Sequence, residues 1–79
     1  MRRKCAGNVK IHKLYVEWAD GRHKAKKLGR PASEKQARRM ALEMYREADG
    51  EKPSEIIGWD ANGMAVFAYD FRSGEPVLW

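Results

Sequence analysis

The chain has 79 residues and a formal net charge of +5, which suits one domain with a small core. No apolar run approaches the about 20 residues of a membrane-spanning helix, and none follows Met1–Lys4 as in a secretory signal. A single cysteine, Cys5, allows no internal disulfide, which is typical of a reducing cytoplasm. We therefore expect a cytoplasmic protein that has no contact with a membrane.

Charge is distributed unevenly along the chain. Residues 1–40 contain thirteen Lys or Arg and three acidic residues, a net charge of +10. Residues 41–79 contain three Lys or Arg and eight acidic residues, a net charge of −5. The basic half predicts contact with phosphates or with an acidic protein surface. The acidic half argues against a protein that nucleic acid surrounds on all sides.

The basic half predicts a β-hairpin. After a flexible basic tail over 1–8, the domain begins at residue 9 and extends to 79. Residues 9–19 alternate apolar and polar side chains as a strand does, with a slip near Ile11 and His12 that predicts a bulge or a register change. Asp20-Gly21 predicts a two-residue type I′ turn, after which residues 22–28 form the second strand.

A two-residue turn determines which side of the second strand faces outward. It pairs Tyr15 with Lys26, so that Lys24 and Lys26 face away from the helix together with Tyr15. It also pairs Leu14 with Lys27, which then faces the helix. Residues 28–32 are predicted to be a loop that exposes Arg30.

Residues 33–50 are the only strongly helical segment. Ser33 and Gln36 have the spacing of a capping box, and Gly50 suits the position just after a helix C-terminus. Apolar residues at helical spacing predict a stripe packed on a sheet. This stripe comprises Ala37, Met40, Ala41, Met44, Tyr45 and Ala48. The opposite face carries Lys35, Arg38, Arg39 and Arg46 around Leu42, and is either a solvated face or a contact surface for an acidic partner.

Three more strands are predicted after the helix, at 55–60, 64–71 and 75–79, the last at a sheet edge because of Pro76. The sequence thus predicts an α+β fold, a single helix on an antiparallel sheet in the order ββαββ(β). Both faces of the later strands are apolar. One face carries Ile57, Trp59, Val66 and Ala68, and the other carries Ile56, Phe67, Tyr69 and Phe71. Since one helix covers one face, we expect the chain termini, a second copy in a homodimer, or a protein partner to cover the other.

The sequence predicts no enzyme, metal site or cofactor. Cys5, His12 and His23 have no metal-site spacing, no acid–base pair or nucleophile has a plausible pocket, and the glycines follow no phosphate-loop pattern. The predicted contacts are instead basic and aromatic. They are Lys13, Tyr15, Arg22, Lys24, Lys26, Lys27, Arg30, Lys35, Arg38, Arg39, Leu42 and Arg46. The alternative is that these lysines only provide solubility and protect a sheet edge.

The segment 33–69 resembles two classes of protein. One is a group of small uncharacterised bacterial ββαββ domains, and the other is a set of small phage-borne anti-CRISPR proteins that inhibit type I CRISPR surveillance complexes. The resemblance is carried by Ala37, Arg38, Arg39, Ala41, Ile56, Ile57, Asp60, Asn62, Gly63, Ala68 and Tyr69.

The anti-CRISPR resemblance implies a mechanism without chemistry. In the cytoplasm of an infected bacterium, such a protein binds a crRNA-guided complex and prevents target DNA from hybridising. The implied contacts are Lys24, Lys26, Lys27, Arg38 and Arg39. Two alternatives remain open. One is a nucleic-acid-binding module of a mobile element that contacts DNA or RNA directly, and the other is a protein-interaction domain that dimerises through its second aromatic sheet face.

Overall fold

The computed structural model describes residues 9–79 and contains one helix packed on a five-stranded antiparallel sheet. The elements are β1 (Lys10–Glu17), β2 (His23–Ser33), α1 (Glu34–Glu47), β3 (Glu55–Trp59), β4 (Ala65–Asp70) and β5 (Val77–Leu78). The strand order is β2-β1-β3-β4-β5, so β2 and β5 form the edges. The predicted α+β fold is therefore confirmed. The tail predicted over 1–8 lies outside the described residues.

The start of α1 follows the sequence prediction, whereas its end does not. The Ser33 hydroxyl accepts a hydrogen bond from the Gln36 backbone at 3.2 Å, and the reciprocal bond completes the capping box. At the C-terminus, Gly50 has a φ of 75° but lies two residues beyond the cap, Ala48. Lys52 satisfies the terminal carbonyls instead, because its ammonium donates to the Tyr45 oxygen at 3.0 Å.

The core lies between α1 and one face of the sheet. Ala37 and Ala41 are fully buried, and their small side chains let the helix approach the strands closely. Tyr45 of the helix stacks on Phe71 of the sheet, with centroids 4.1 Å apart. Of the two apolar faces predicted for β3 and β4, the one that carries Ile56 and Phe67 is the buried one.

The turn between β1 and β2 differs from the predicted type I′ turn. Trp18 N–H donates to the Arg22 carbonyl at 2.8 Å, and Gly21 N–H donates to the Trp18 carbonyl at 3.0 Å. Only Gly21 has a positive φ, whereas a type I′ turn requires positive φ at both central residues. The turn is therefore longer than two residues, and the predicted register is wrong.

The longer turn shifts the register by one residue and exchanges the two sides of β2. Tyr15 pairs with Ala25 and Lys13 pairs with Lys27, so Lys27 lies on the face away from α1. Lys24 and Lys26 lie on the helix side. The prediction that these two lysines share the outward face with Tyr15 is therefore wrong.

The predicted loop at 28–32 is part of β2. The pairing runs from Lys13–Lys27 to Ile11–Ala32, so β2 has several extra residues at this point. This irregularity confirms the bulge or register change expected near Ile11. Pro31 is tolerated because β2 is an edge strand and its backbone need not donate to a further strand.

Candidate binding surface

The sheet face that α1 does not cover is graded in charge. At one end, Lys27, Lys13 and Trp59 lie side by side on β2, β1 and β3. At the other end, Glu17 pairs with Glu55, and Glu55 pairs with Asp70. A basic, aromatic end and an acidic end thus occupy the same surface.

Three aromatic rings form a row across this outer face. Tyr15 lies in the middle and stacks on Trp59, with centroids 5.1 Å apart and planes 9° apart. On its other side it stacks on His23 at 5.6 Å and 26°. The ammonium of Lys13 lies 5.5 Å from the Trp59 ring centroid, within cation–π range. The strand pairing thus positions a cation beside an ordered ring.

A cavity of about 420 Å³ adjoins the Trp59 end of the row. Lys13 and Lys27 line one part of it, and the turn 60–63 lines another. The Asp60 carboxylate orders this turn by accepting the backbone N–H groups of Asn62 and Met64, each at 2.9 Å. The cavity therefore combines an aromatic ring, two ammonium groups and the polar groups of a well-ordered turn.

The acidic end is stabilised by Arg72. Its guanidinium donates to the Asp70 carboxylate at 2.9 and 3.0 Å, and its backbone N–H donates to the same group at 2.9 Å. These hydrogen bonds lower the pKa of Asp70 from its usual 3.8 to about 2. Conversely, Asp70, with smaller contributions from Glu55 and Glu17, raises the pKa of Arg72.

The helix side of β2 borders an apolar groove of about 590 Å³. Its apolar lining comes from β1, α1 and the connector after α1, and includes Trp18, Met44 and Pro53. Lys24 and Lys26 line its β2 wall, and Glu47 contributes a negative charge from the helix. These lysines therefore flank a surface distinct from the aromatic row.

Arg22 connects two parts of the fold. Its guanidinium forms ion pairs with the carboxylates of Asp20, at 2.8 Å, and Glu51. It also lies 5.5 Å from the Trp18 ring, whose indole N–H donates to the Glu51 carbonyl at 3.3 Å. Arg22 thus links the turn after β1 to the connector after α1, and its charge is already partly neutralised.

The predicted contact residues of the helix do not form one surface. Lys35, Arg39 and Arg46 are exposed. Arg38 is half-buried, and its guanidinium lies 3.4 Å from the buried Glu34 carboxylate. Hydrogen bonding to Tyr69, together with the charge of Glu34, raises the pKa of Arg38. Leu42 packs partly against the core instead of standing as an exposed anchor.

The twelve predicted contacts are thus divided among several surfaces. Lys13, Tyr15 and Lys27 share the outer sheet face, Lys24 and Lys26 flank the groove, and Arg30 is exposed on β2. His23 and Trp59 are not among the predicted contacts. Alternation placed Trp59 on one of two apolar faces, but the structure decided which face α1 leaves uncovered, and the placement of His23 required the correct register.

In the described residues, 9–79, no group of three His, Cys, Asp or Glu side chains is arranged to hold a metal ion. No helix in this part of the chain is long and apolar enough to cross a membrane. The chain matches no known protein family, no curated protein and no solved structure.

Proposed function

We propose that this protein is a non-enzymatic binding protein that contacts a nucleic-acid-bearing complex through the lysines around β2. The observation that carries the proposal is the arrangement of Lys24, Lys26 and Lys27 on the two faces of the edge strand β2, with Lys13 beside them on β1. No carboxylate oxygen of the described residues lies within 4.0 Å of these four ammonium groups. Their charge therefore remains available to an anionic partner.

The partner we propose is a type I crRNA-guided surveillance complex, as the resemblance of the segment 33–69 implies. Such a complex must expose a basic channel to capture target DNA and also carries an RNA backbone. A small protein with a lysine-rich edge can contact that RNA or acidic surfaces beside it, and so obstruct the incoming strand. Inhibition then requires occupancy alone and no chemical step.

A paired binding assay at two salt concentrations tests this proposal. One arm measures binding to purified type I surveillance complexes and their subsequent capture of target DNA, and the other measures binding to duplex DNA alone. Tight binding to a complex with loss of target capture is the expected result. Failure to bind any type I complex would contradict the inhibitor proposal.

Two charge-reversal variants locate the contact surface. We expect Lys24→Glu combined with Lys26→Glu to abolish inhibition. Lys35→Glu combined with Arg46→Glu changes the charge equally on the helix and serves as the matched control. Equal losses from both variants would mean that net charge, and not the β2 edge, determines binding.

A second candidate function, a nucleic-acid-binding module of a mobile element, is supported by the aromatic row beside Lys13. Binding to naked DNA or RNA that weakens steeply with salt, because bound phosphates release their counterions, would favour it. In that case the surveillance complexes should compete with naked nucleic acid for the protein no better than their own nucleic acid does alone.

A further inference from the structure

We infer that the outer sheet face holds an unpaired nucleotide of a single-stranded segment, with its base against Trp59 and its phosphates on Lys13 and Lys27. The inference rests on the proposed nucleic-acid-bearing partner and names the part of that partner that the sheet contacts. Neither the resemblance nor the basic edge by itself assigns this face to unpaired bases.

The first support is the position of the Trp59 ring. Tyr15 lies almost parallel to it with the centroids 5.1 Å apart, a stacked contact that restricts the orientation of the indole. Trp59 also lines the cavity of about 420 Å³, a space large enough for a planar base. Base–aromatic stacking tolerates any sequence because every base has a π-face. The indole is thus already ordered, and a base can stack on it once the Lys13 side chain, whose ammonium lies 5.5 Å from the ring centroid, moves onto the phosphate.

The second support is the pairing of like charges on the same rung of the sheet. Lys13 and Lys27 lie directly opposite each other on β1 and β2. Like charges in this position repel and destabilise the free sheet. A phosphate between the two ammonium groups would neutralise that repulsion, so binding of an anion here is favoured. Both lysines line the same cavity as Trp59, as a nucleotide's linked base and phosphate require.

The third support is a polar group at the cavity wall. Asn62 lines the cavity, and its side-chain amide forms no hydrogen bond to the other described residues. An amide both donates and accepts hydrogen bonds, so it can pair with donor or acceptor groups on the edge of a base. The carboxylates of an acidic peptide would use the lysines but have no π-face to stack on the ring, whereas a nucleotide supplies both an anion and a flat base. These features together favour single-stranded nucleic acid as the occupant.

The test measures binding of the full chain to a fluorescent oligothymidine of twelve nucleotides. An abasic chain of the same length and the corresponding duplex are measured alongside it. The informative variant is Trp59→Ala, with Trp79→Ala as the control, because Trp79 is 73 % exposed and lies beyond β5. Trp59→Phe retains a ring, and circular dichroism confirms that each variant is folded.

We expect Trp59→Ala to weaken oligothymidine binding by roughly tenfold. The salt slope, which is the slope of log affinity against log salt concentration, should not change, because stacking releases no counterions. The same variant should leave binding to the abasic chain unchanged, and Trp59→Phe should restore most of the lost affinity. Lys27→Ala should instead reduce the salt slope by roughly 0.7 for both single strands.

Three outcomes would overturn the inference. They are equal losses for the oligothymidine and the abasic chain, equal effects of Trp59→Ala and Trp79→Ala, or no binding of the wild type to the oligothymidine. Because this assay contains no surveillance complex, its failure is separate from failure of the proposed inhibitor function. In a separate assay, wild type and Trp59→Ala that capture a surveillance complex with equal affinity would support the inhibitor proposal without support for a role of this face.

Discussion

The ring of Phe67 on β4 lies directly over the backbone of Gly58 on β3. A Cβ atom at residue 58 would lie 2.3 Å from Cε2 of Phe67, closer than two carbon atoms can approach. The two residues are cross-strand partners, and Phe67 is buried against the core. The missing side chain of one strand thus provides space for the large side chain of the next.

This relationship predicts that Gly58→Ala destabilises the fold. Phe67 must shift or the strands must separate, and overpacking of this kind costs about 1–3 kcal/mol. Urea unfolding should therefore show a lower midpoint for the variant. Gly29→Ala is the control, since a Cβ atom there meets nothing within 4 Å. Equal midpoints for wild type and Gly58→Ala would contradict the proposed packing.

Lys52 should stabilise α1 from outside the helix. Its ammonium donates to the Tyr45 and Arg46 carbonyls at 3.0 and 3.3 Å and lies 5.2 Å from the Tyr45 ring centroid. We expect Lys52→Ala to lower the free energy of unfolding by about 0.5–1 kcal/mol, because terminal carbonyls lose a cationic donor. Thermal unfolding measures this loss. Lys35→Ala, at the other end of the helix, should cause no such loss.

The Asp70 carboxyl should titrate near pH 2. Its pKa in the folded state is below the usual 3.8, so its contribution to stability is complete above about pH 4 and is lost as the pH falls through about 2. In Arg72→Ala the backbone hydrogen bond remains while the guanidinium is absent. The pKa should therefore rise part of the way toward 3.8. NMR titration of the carboxyl carbon measures it.

The Asp20 carboxyl is the internal control for that titration. Its pKa is lowered mainly by the backbone N–H of Arg22, which Arg72→Ala does not alter. A change at Asp20 equal to that at Asp70 would indicate a general loss of structure. An unchanged Asp70 pKa in Arg72→Ala would show that the guanidinium does not stabilise the carboxylate.

Arg22 should contribute to folding more than Lys24 does. Arg22→Ala removes the ion pairs with Asp20 and Glu51 and should lower the free energy of unfolding by less than about 1 kcal/mol, because both pairs are exposed. The loss should shrink in high salt, which screens exposed charges. Lys24→Ala, which removes no ion pair, should unfold at the wild-type temperature. A loss from Arg22→Ala that is independent of salt would contradict an electrostatic role.

Local signals in the sequence were sufficient for most of the fold. Ser33 and Gln36 marked the start of α1 because a capping box depends only on neighbouring residues. Alternation separated Ile56 and Phe67 from Ile57 and Trp59 onto opposite faces, but because both faces are apolar it left open which of them packs on α1. The edge position of β5 followed from Pro76, which cannot donate to a neighbouring strand.

The arrangement of the candidate site was decided by the tertiary structure. Asp20-Gly21 fits turns of two lengths, and the hydrogen bond from Trp18 to Arg22 selects the longer one. Because side chains alternate with a period of two, a turn that is longer by one residue places Lys27 on the outer face and Lys24 beside the groove. The pairing of β1 with β3 brought Tyr15 and Trp59 together across 44 residues of sequence. Such long-range pairing depends on the packing of the whole sheet, whereas capping and alternation are determined by adjacent residues.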